Sequence, residues 1–230
     1  MIKIKRISNR LDKDKIIIFI DGWLSNELIY LLDRESIPEN FGYIQYDYSD
    51  DLLCSNPIKT KKNFLALINK IENDLAKLQD KKPRNFYMYG QSLGTLFCMI
   101  VADKVYIKEI KLLVPGYNLA EAFWFGKSTQ KLKNEMVIKH NMNLVKLKNY
   151  WKEISPDNYF KKKSIKTKFN VTISTNDSVI PTENGKKLIK LIKSKNIPIR
   201  ISKTILPHTI EIIKEGLFVS NFNEWVNGLK

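Results

Sequence analysis

Apolar positions along the chain alternate between short β-branched runs and longer stretches at helical spacing, the pattern of crossover units around a mostly parallel sheet. Residues 2–8 (IKIKRIS) alternate apolar and polar side chains, which predicts a half-exposed edge strand. Residues 15–21 (KIIIFID) form an unbroken β-branched run, as expected of a strand covered on both faces. A loop with Gly22 and Trp23 follows, then a predicted helix carrying Leu28, Ile29, Leu31 and Leu32, then a strand in GYIQYDYS that ends near Asp47. From Thr60 onward, Phe64, Leu67, Ile68, Ile71, Leu75 and Leu78 recur at helical spacing with lysines and acids opposite them, so one stripe should pack on the sheet.

The alternation continues with a strand in RNFYMYG (84–90), a helix that begins almost without a loop in QSLGTLFCMIVADK, and a strand in IKLLVPG (110–116). Residues 117–165 break it. They hold Phe123, Trp124, Phe125, Tyr150, Trp151 and Phe160 among many lysines, with no strand-like alternation, and read as a helical insertion over the strand ends. Regularity returns with a strand in KFNVTIST (168–175), a helix in TENGKKLIKLIKSKN, a strand in PIRISKTIL (198–206) and a closing helix through Phe218, Phe222 and Trp225.

Composition bounds what such a chain can be. Its 230 residues, 43% of them hydrophobic, suffice for one sizeable core, so residues 1–230 are expected to form a single α/β domain with 117–165 as its cap or lid. The first fifteen residues are charged throughout, and the apolar run at 16–20 is too short for a signal sequence or a membrane span, which points to a soluble, cytoplasmic protein. Cys54 and Cys98 sit in no CxxC or Cys/His cluster, so neither a disulfide framework nor a metal site is expected and both read as free thiols.

Charge is the compositional outlier, with 39 Lys+Arg against 24 Asp+Glu and a net +15. A field of that sign favours acidic partners, among them an anionic membrane face, an acidic carrier protein or an anionic substrate. The lysines are nonetheless spread along the chain instead of forming one block, as a lysine-rich composition alone would leave them. No zinc finger, helix-turn-helix or aromatic-and-basic RNA signature is present, so nucleic acid is not an expected partner.

The candidate chemistry centres on Gly90-Gln91-Ser92-Leu93-Gly94, a G-x-S-x-G segment lying between a predicted strand and a predicted helix. Small residues two before and two after the serine let strand and helix approach closely, and the turn presents the hydroxyl at a helix N-terminus. A serine at its own pKa is a poor nucleophile and needs a base. The chain has two histidines: His140 lies in the irregular insertion, whereas His208 follows the last predicted strand, at the sheet edge that carries the serine. A carboxylate must then fix the imidazole tautomer. Asp177 follows the strand 168–175 and precedes His208 by about thirty residues, giving the chain order Ser, Asp, His. The strand end at 116–118 is Gly-Tyr-Asn and offers no acid.

With GQSLG, NDSVIP and LPH in this order, the chain from Lys15 to Lys230 resembles the α/β-hydrolase superfamily. The resemblance implies a mostly parallel sheet with helices on both faces, and a carboxylic ester or thioester cleaved through an acyl-enzyme without a cofactor. It implies an oxyanion hole from the N–H of Leu93 and one from the loop after the early buried strand, here that of Trp23. Many members begin that loop His-Gly, whereas this chain has Asp21-Gly22. Asp21 is expected to turn its charge away and accept N–H bonds from the loop 22–25, holding the Trp23 amide. Phe123, Trp124 and Phe125 are the expected acyl pocket or lid. Two other functions fit the same residues: a thioesterase acting on an acidic carrier, and a hydrolase-fold binding module without turnover that docks an acidic partner or membrane.

Overall fold

The computed structural model describes residues 2–7, 10–23, 37–159, 166–217 and 220–229. Among the described residues seven strands form one sheet: β1 (Ile2–Ile7), β2 (Lys15–Ile20), β3 (Phe41–Tyr48), β4 (Asn85–Gln91), β5 (Glu109–Leu113), β6 (Lys168–Ser174) and β7 (Ile199–Thr204). Their order is β1-β3-β2-β4-β5-β6-β7. β1 runs antiparallel to β3 at one edge, and every other neighbouring pair is parallel. The predicted helix with Leu28, Ile29, Leu31 and Leu32 lies outside the described residues, as do Phe160 and Phe218.

Period-two side-chain direction divides β2 between two cores. Ile16, Ile18 and Ile20 join the larger one, with α1 (Pro57–Lys81), α2 (Gly94–Lys104) and α6 (Thr182–Ser194). Ile17 and Phe19 face the other side and pack with Phe222, Trp225 and Val226. Helix α1 starts where the Asn56 side chain accepts the N–H groups of Ile58 and Lys59, with Pro57 at its first position. Its stripe Phe64, Leu67, Ile68, Ile71, Leu75 and Leu78 is buried as expected. At roughly 1.5–3 kcal/mol for each buried side chain, that stripe is a main tie between helix and sheet.

The segment after β5 is helical: α3 (Leu119–Phe125), α4 (Gln130–His140) and α5 (Leu144–Tyr150), joined by short turns. The chain closes with α7 (His208–Leu217) and α8 (Ser220–Asn227), and the expected closing helix through Phe222 and Trp225 corresponds to α8. Both cysteines are free, Cys98 buried and Cys54 half-buried. Among the described residues no helix is long and apolar enough to cross a membrane.

Candidate active site

Ser92 follows the last residue of β4 and adopts φ 50°, in the left-handed region that non-glycine residues avoid. Such a conformation carries about 1–3 kcal/mol of strain and persists only when its surroundings impose it. Here they do. The Ser92 N–H bonds to Leu113 O at 2.9 Å, and Ser92 O accepts the Thr95 hydroxyl at 2.6 Å and the Thr95 N–H at 3.1 Å. The two glycines are steric requirements. A Cβ on Gly90 would lie 2.6 Å from Cys98 Sγ and 3.0 Å from the Gly94 backbone, and one on Gly94 would lie 2.2 Å from Ile20 O and 2.5 Å from Asp21 O.

His208 is the first residue of α7, directly after the loop that leaves β7. Its Nε2 lies 2.8 Å from Ser92 Oγ, and its Nδ1 lies 2.6 Å from Asp177 Oδ2. His208 is 5% exposed, so water competes little for either contact. Asp177 is itself fixed, because Oδ1 accepts the N–H groups of Val179 at 2.9 Å and Ile180 at 2.8 Å. The loops bearing the acid and the imidazole are tied by the Ser174 hydroxyl, which donates to Leu206 O at 2.6 Å, and by the Thr175 N–H on Thr204 O at 2.8 Å. His140 ends α4, is exposed, and does not line the cavity at Ser92. Asp157 accepts from Asn118 Nδ2 at 3.0 Å and serves the segment above the sheet.

Leu93 precedes the first turn of α2, where N–H groups have no intrahelical acceptor. Leu93 and Trp23 both border the cavity next to Ser92. The Trp23 side chain is anchored, its Nε1–H donating to Asp50 O at 2.8 Å. Asp21 is 2% exposed, and its carboxylate receives Gln45 Nε2 at 3.3 and 3.2 Å. Gln45 lies on β3, which flanks β2 on the side away from β4, the strand that leads to Ser92. The acceptor role foreseen toward 22–25 extends to residues outside the described ones. The partner that sequence reasoning missed is Gln45, and with it Tyr48, whose hydroxyl donates to Asp21 O at 2.6 Å. Burial first, then the charges of Asp21 and Asp47, push the Tyr48 phenol well above its ordinary pKa and keep it a neutral donor. A usable signal was present: polar residues inside a strand buried along its whole length have to be bonded to something.

A cavity of about 220 Å³ opens at Ser92 and His208. Leu96, Leu119, Ala122, Phe123, Val179 and Ile212 are among its walls. Of the three aromatic residues expected there, Phe123 is present and the other two are not. Trp124 is half-buried with Lys133 Nζ 5.8 Å above its ring, and Phe125 is 58% exposed. Consecutive residues of a helix point about 100° apart, so α3 turns one of the three toward the cavity and the next two away.

No protein family and no curated protein matches the sequence. Solved structures do resemble the fold. The Pyrococcus horikoshii acylaminoacyl peptidase superposes with a TM-score of 0.65 at 16% identity, over 92% of this chain and 37% of that one. A puromycin-hydrolyzing peptidase of Mycobacterium tuberculosis gives 0.60 at 12% identity, over 95% and 35%. A Pyrococcus furiosus esterase gives 0.59 at 16% identity, over 98% and 88%. The chain thus spans little more than a third of each peptidase and most of the esterase.

Proposed function

We propose that this chain, which has the α/β-hydrolase fold, is a serine hydrolase that cleaves carboxylic esters, with Ser92, His208 and Asp177 as its triad. The observation that carries the reading is the continuous line Ser92 Oγ, His208 Nε2, His208 Nδ1, Asp177 Oδ2, with contacts of 2.8 and 2.6 Å, at the mouth of an apolar cavity. His208 takes the Ser92 proton as Oγ attacks the ester carbonyl, and Asp177 holds the imidazole tautomer and stabilises the imidazolium. The oxyanion is bound by the N–H groups of Leu93 and Trp23. His208 then gives the proton to the leaving alcohol, and an acyl group remains on Ser92. Water, deprotonated by His208, releases the acid in the same way. Residues 117–165 serve as the cap of this one domain, and Leu119, Ala122 and Phe123 are among their contributions to the substrate wall.

Asp21, Gln45 and Tyr48 are positioning residues in this scheme. The Tyr48 hydroxyl fixes the peptide plane between Asp21 and Gly22, one residue before the Trp23 amide. Rapid mixing with p-nitrophenyl butyrate tests the acyl-enzyme. A burst of nitrophenol close to one equivalent of protein, followed by a slower steady rate, is expected when deacylation limits turnover. Absence of nitrophenol release from any neutral short-chain ester would contradict the reading and leave the non-catalytic docking function.

A further inference from the structure

The cavity at Ser92 restricts the acyl group as well as receiving it, an inference that rests on the serine-hydrolase reading above. Its volume is about 220 Å³. An apolar cavity of roughly 150 Å³ takes up benzene, so in proportion this one holds about nine non-hydrogen atoms. The reacting carbonyl and the leaving oxygen take up about three of these, which leaves room for about six chain carbons.

The wall formed by Phe123 has little freedom to retreat. Phe123 is buried and meets the ring of Trp151 edge-on at 5.2 Å. Trp151 is itself fully buried, and its Nε1–H donates to Pro57 O at 3.0 Å. Behind Phe123 is therefore close-packed core, which does not yield to an extra methylene without strain.

The lining also selects by charge. Among the described residues His208 is the only ionisable side chain at the cavity, and it is engaged by Ser92 and Asp177. A carboxylate or ammonium on the acyl chain would lose its water there without gaining a counter-ion, which is strongly unfavourable. The net +15 of the chain thus resides outside the described walls of this pocket.

We infer that the site takes neutral, apolar acyl groups of about four to eight carbons and discriminates against long-chain, dicarboxylic and aminoacyl groups. The test is a series of p-nitrophenyl esters from acetate through butyrate, hexanoate, octanoate and laurate to palmitate, with the adipate monoester and 6-aminohexanoate as charged analogues of hexanoate. kcat/KM should peak between butyrate and octanoate and fall about tenfold or more by laurate, and the charged analogues should lie about a hundredfold or more below hexanoate. Ala122→Leu, a helix-compatible change that fills the cavity, should move the peak to shorter chains. Phe123→Ala should move it to longer ones; it removes a core ring, so Ala122→Leu carries the test if that variant does not fold.

Each preparation is titrated with a small fluorophosphonate alongside the series. Labelled Ser92 with a flat profile, a palmitate optimum, or charged esters cleaved as fast as hexanoate overturns the pocket inference alone. No labelling and no ester hydrolysis overturns the serine-hydrolase reading, and this inference with it.

Discussion

The carboxyl edge of the sheet and the helical segment above it are held by different means. At the edge backbone lies against backbone: Gly94 admits no side chain beside Ile20 O and Asp21 O, and Ser92 is held at φ 50° by Leu113 O and Thr95. In the segment from α3 to α5, side chains carry the structure. Phe123, Met136, Leu147 and Trp151 are buried, while Val137, Ile138 and Val145 face solvent. The two meet at Gly126, where a Cβ would lie 2.4 Å from Val179 O, and where the Lys127 N–H bonds to Ser178 O at 3.0 Å. Backbone contact leaves few solutions, whereas side-chain packing tolerates many if volume is kept. Reaction geometry should therefore be sensitive to single atoms at the edge and nearly indifferent to the outer face of the segment from α3 to α5.

The largest expected effects separate the two histidines. Ser92→Ala and His208→Ala should each lower kcat about a millionfold, with melting temperatures close to that of the parent. His140→Ala, on the outer helical segment, should leave kcat unchanged. An essential His140 with a dispensable His208 would reverse the contrast between the two regions.

Asp177→Asn should cost about ten-thousandfold in kcat. The amide oxygen can still accept from the N–H groups of Val179 and Ile180, so the loop is kept while the partner of His208 Nδ1 becomes wrong. Unchanged activity would shift the acid elsewhere, and Asp157, bonded to Asn118 in the cap, would be the first to examine.

The same division explains what the sequence made legible. Gly90, Ser92 and Gly94 are spelled out locally because the tight turn at Ser92 is a local backbone problem, and the α1 stripe is legible because period 3.6 is. Asp177 and His208 could be ordered along the chain because each follows a strand that runs to the same edge. Trp124 and Phe125 do not line the cavity, because aromatic content does not say which helix face meets it. Gln45 and Tyr48 stayed hidden because their bonds to Asp21 span 24 and 27 residues, and a register between two strands is not written in either one.

Smaller effects are expected one layer behind the proposed oxyanion hole. Tyr48→Phe keeps the ring against Phe97 and removes the hydroxyl that holds Asp21 O. A loss of about tenfold in kcat with KM nearly constant is expected, less than the loss of a hole donor itself. Asp21→Asn should retain most activity, since its amide oxygen still accepts from Gln45, and Asp21→Ala should lose about tenfold. Acceleration in Asp21→Asn would mean that the charge faces the transition state. The smallest effect belongs to the cap surface: Ile138→Ser should change stability by no more than about 0.5 kcal/mol in denaturant titration and leave kcat alone.

The most direct measurement is the site and rate of fluorophosphonate labelling, read by intact mass and peptide mapping. One adduct per chain on the peptide containing Ser92 is expected, absent in Ser92→Ala, slowed at least about a thousandfold in His208→Ala and unchanged in His140→Ala. An adduct elsewhere, or none on the folded parent protein, would contradict the assignment of Ser92 as an activated nucleophile.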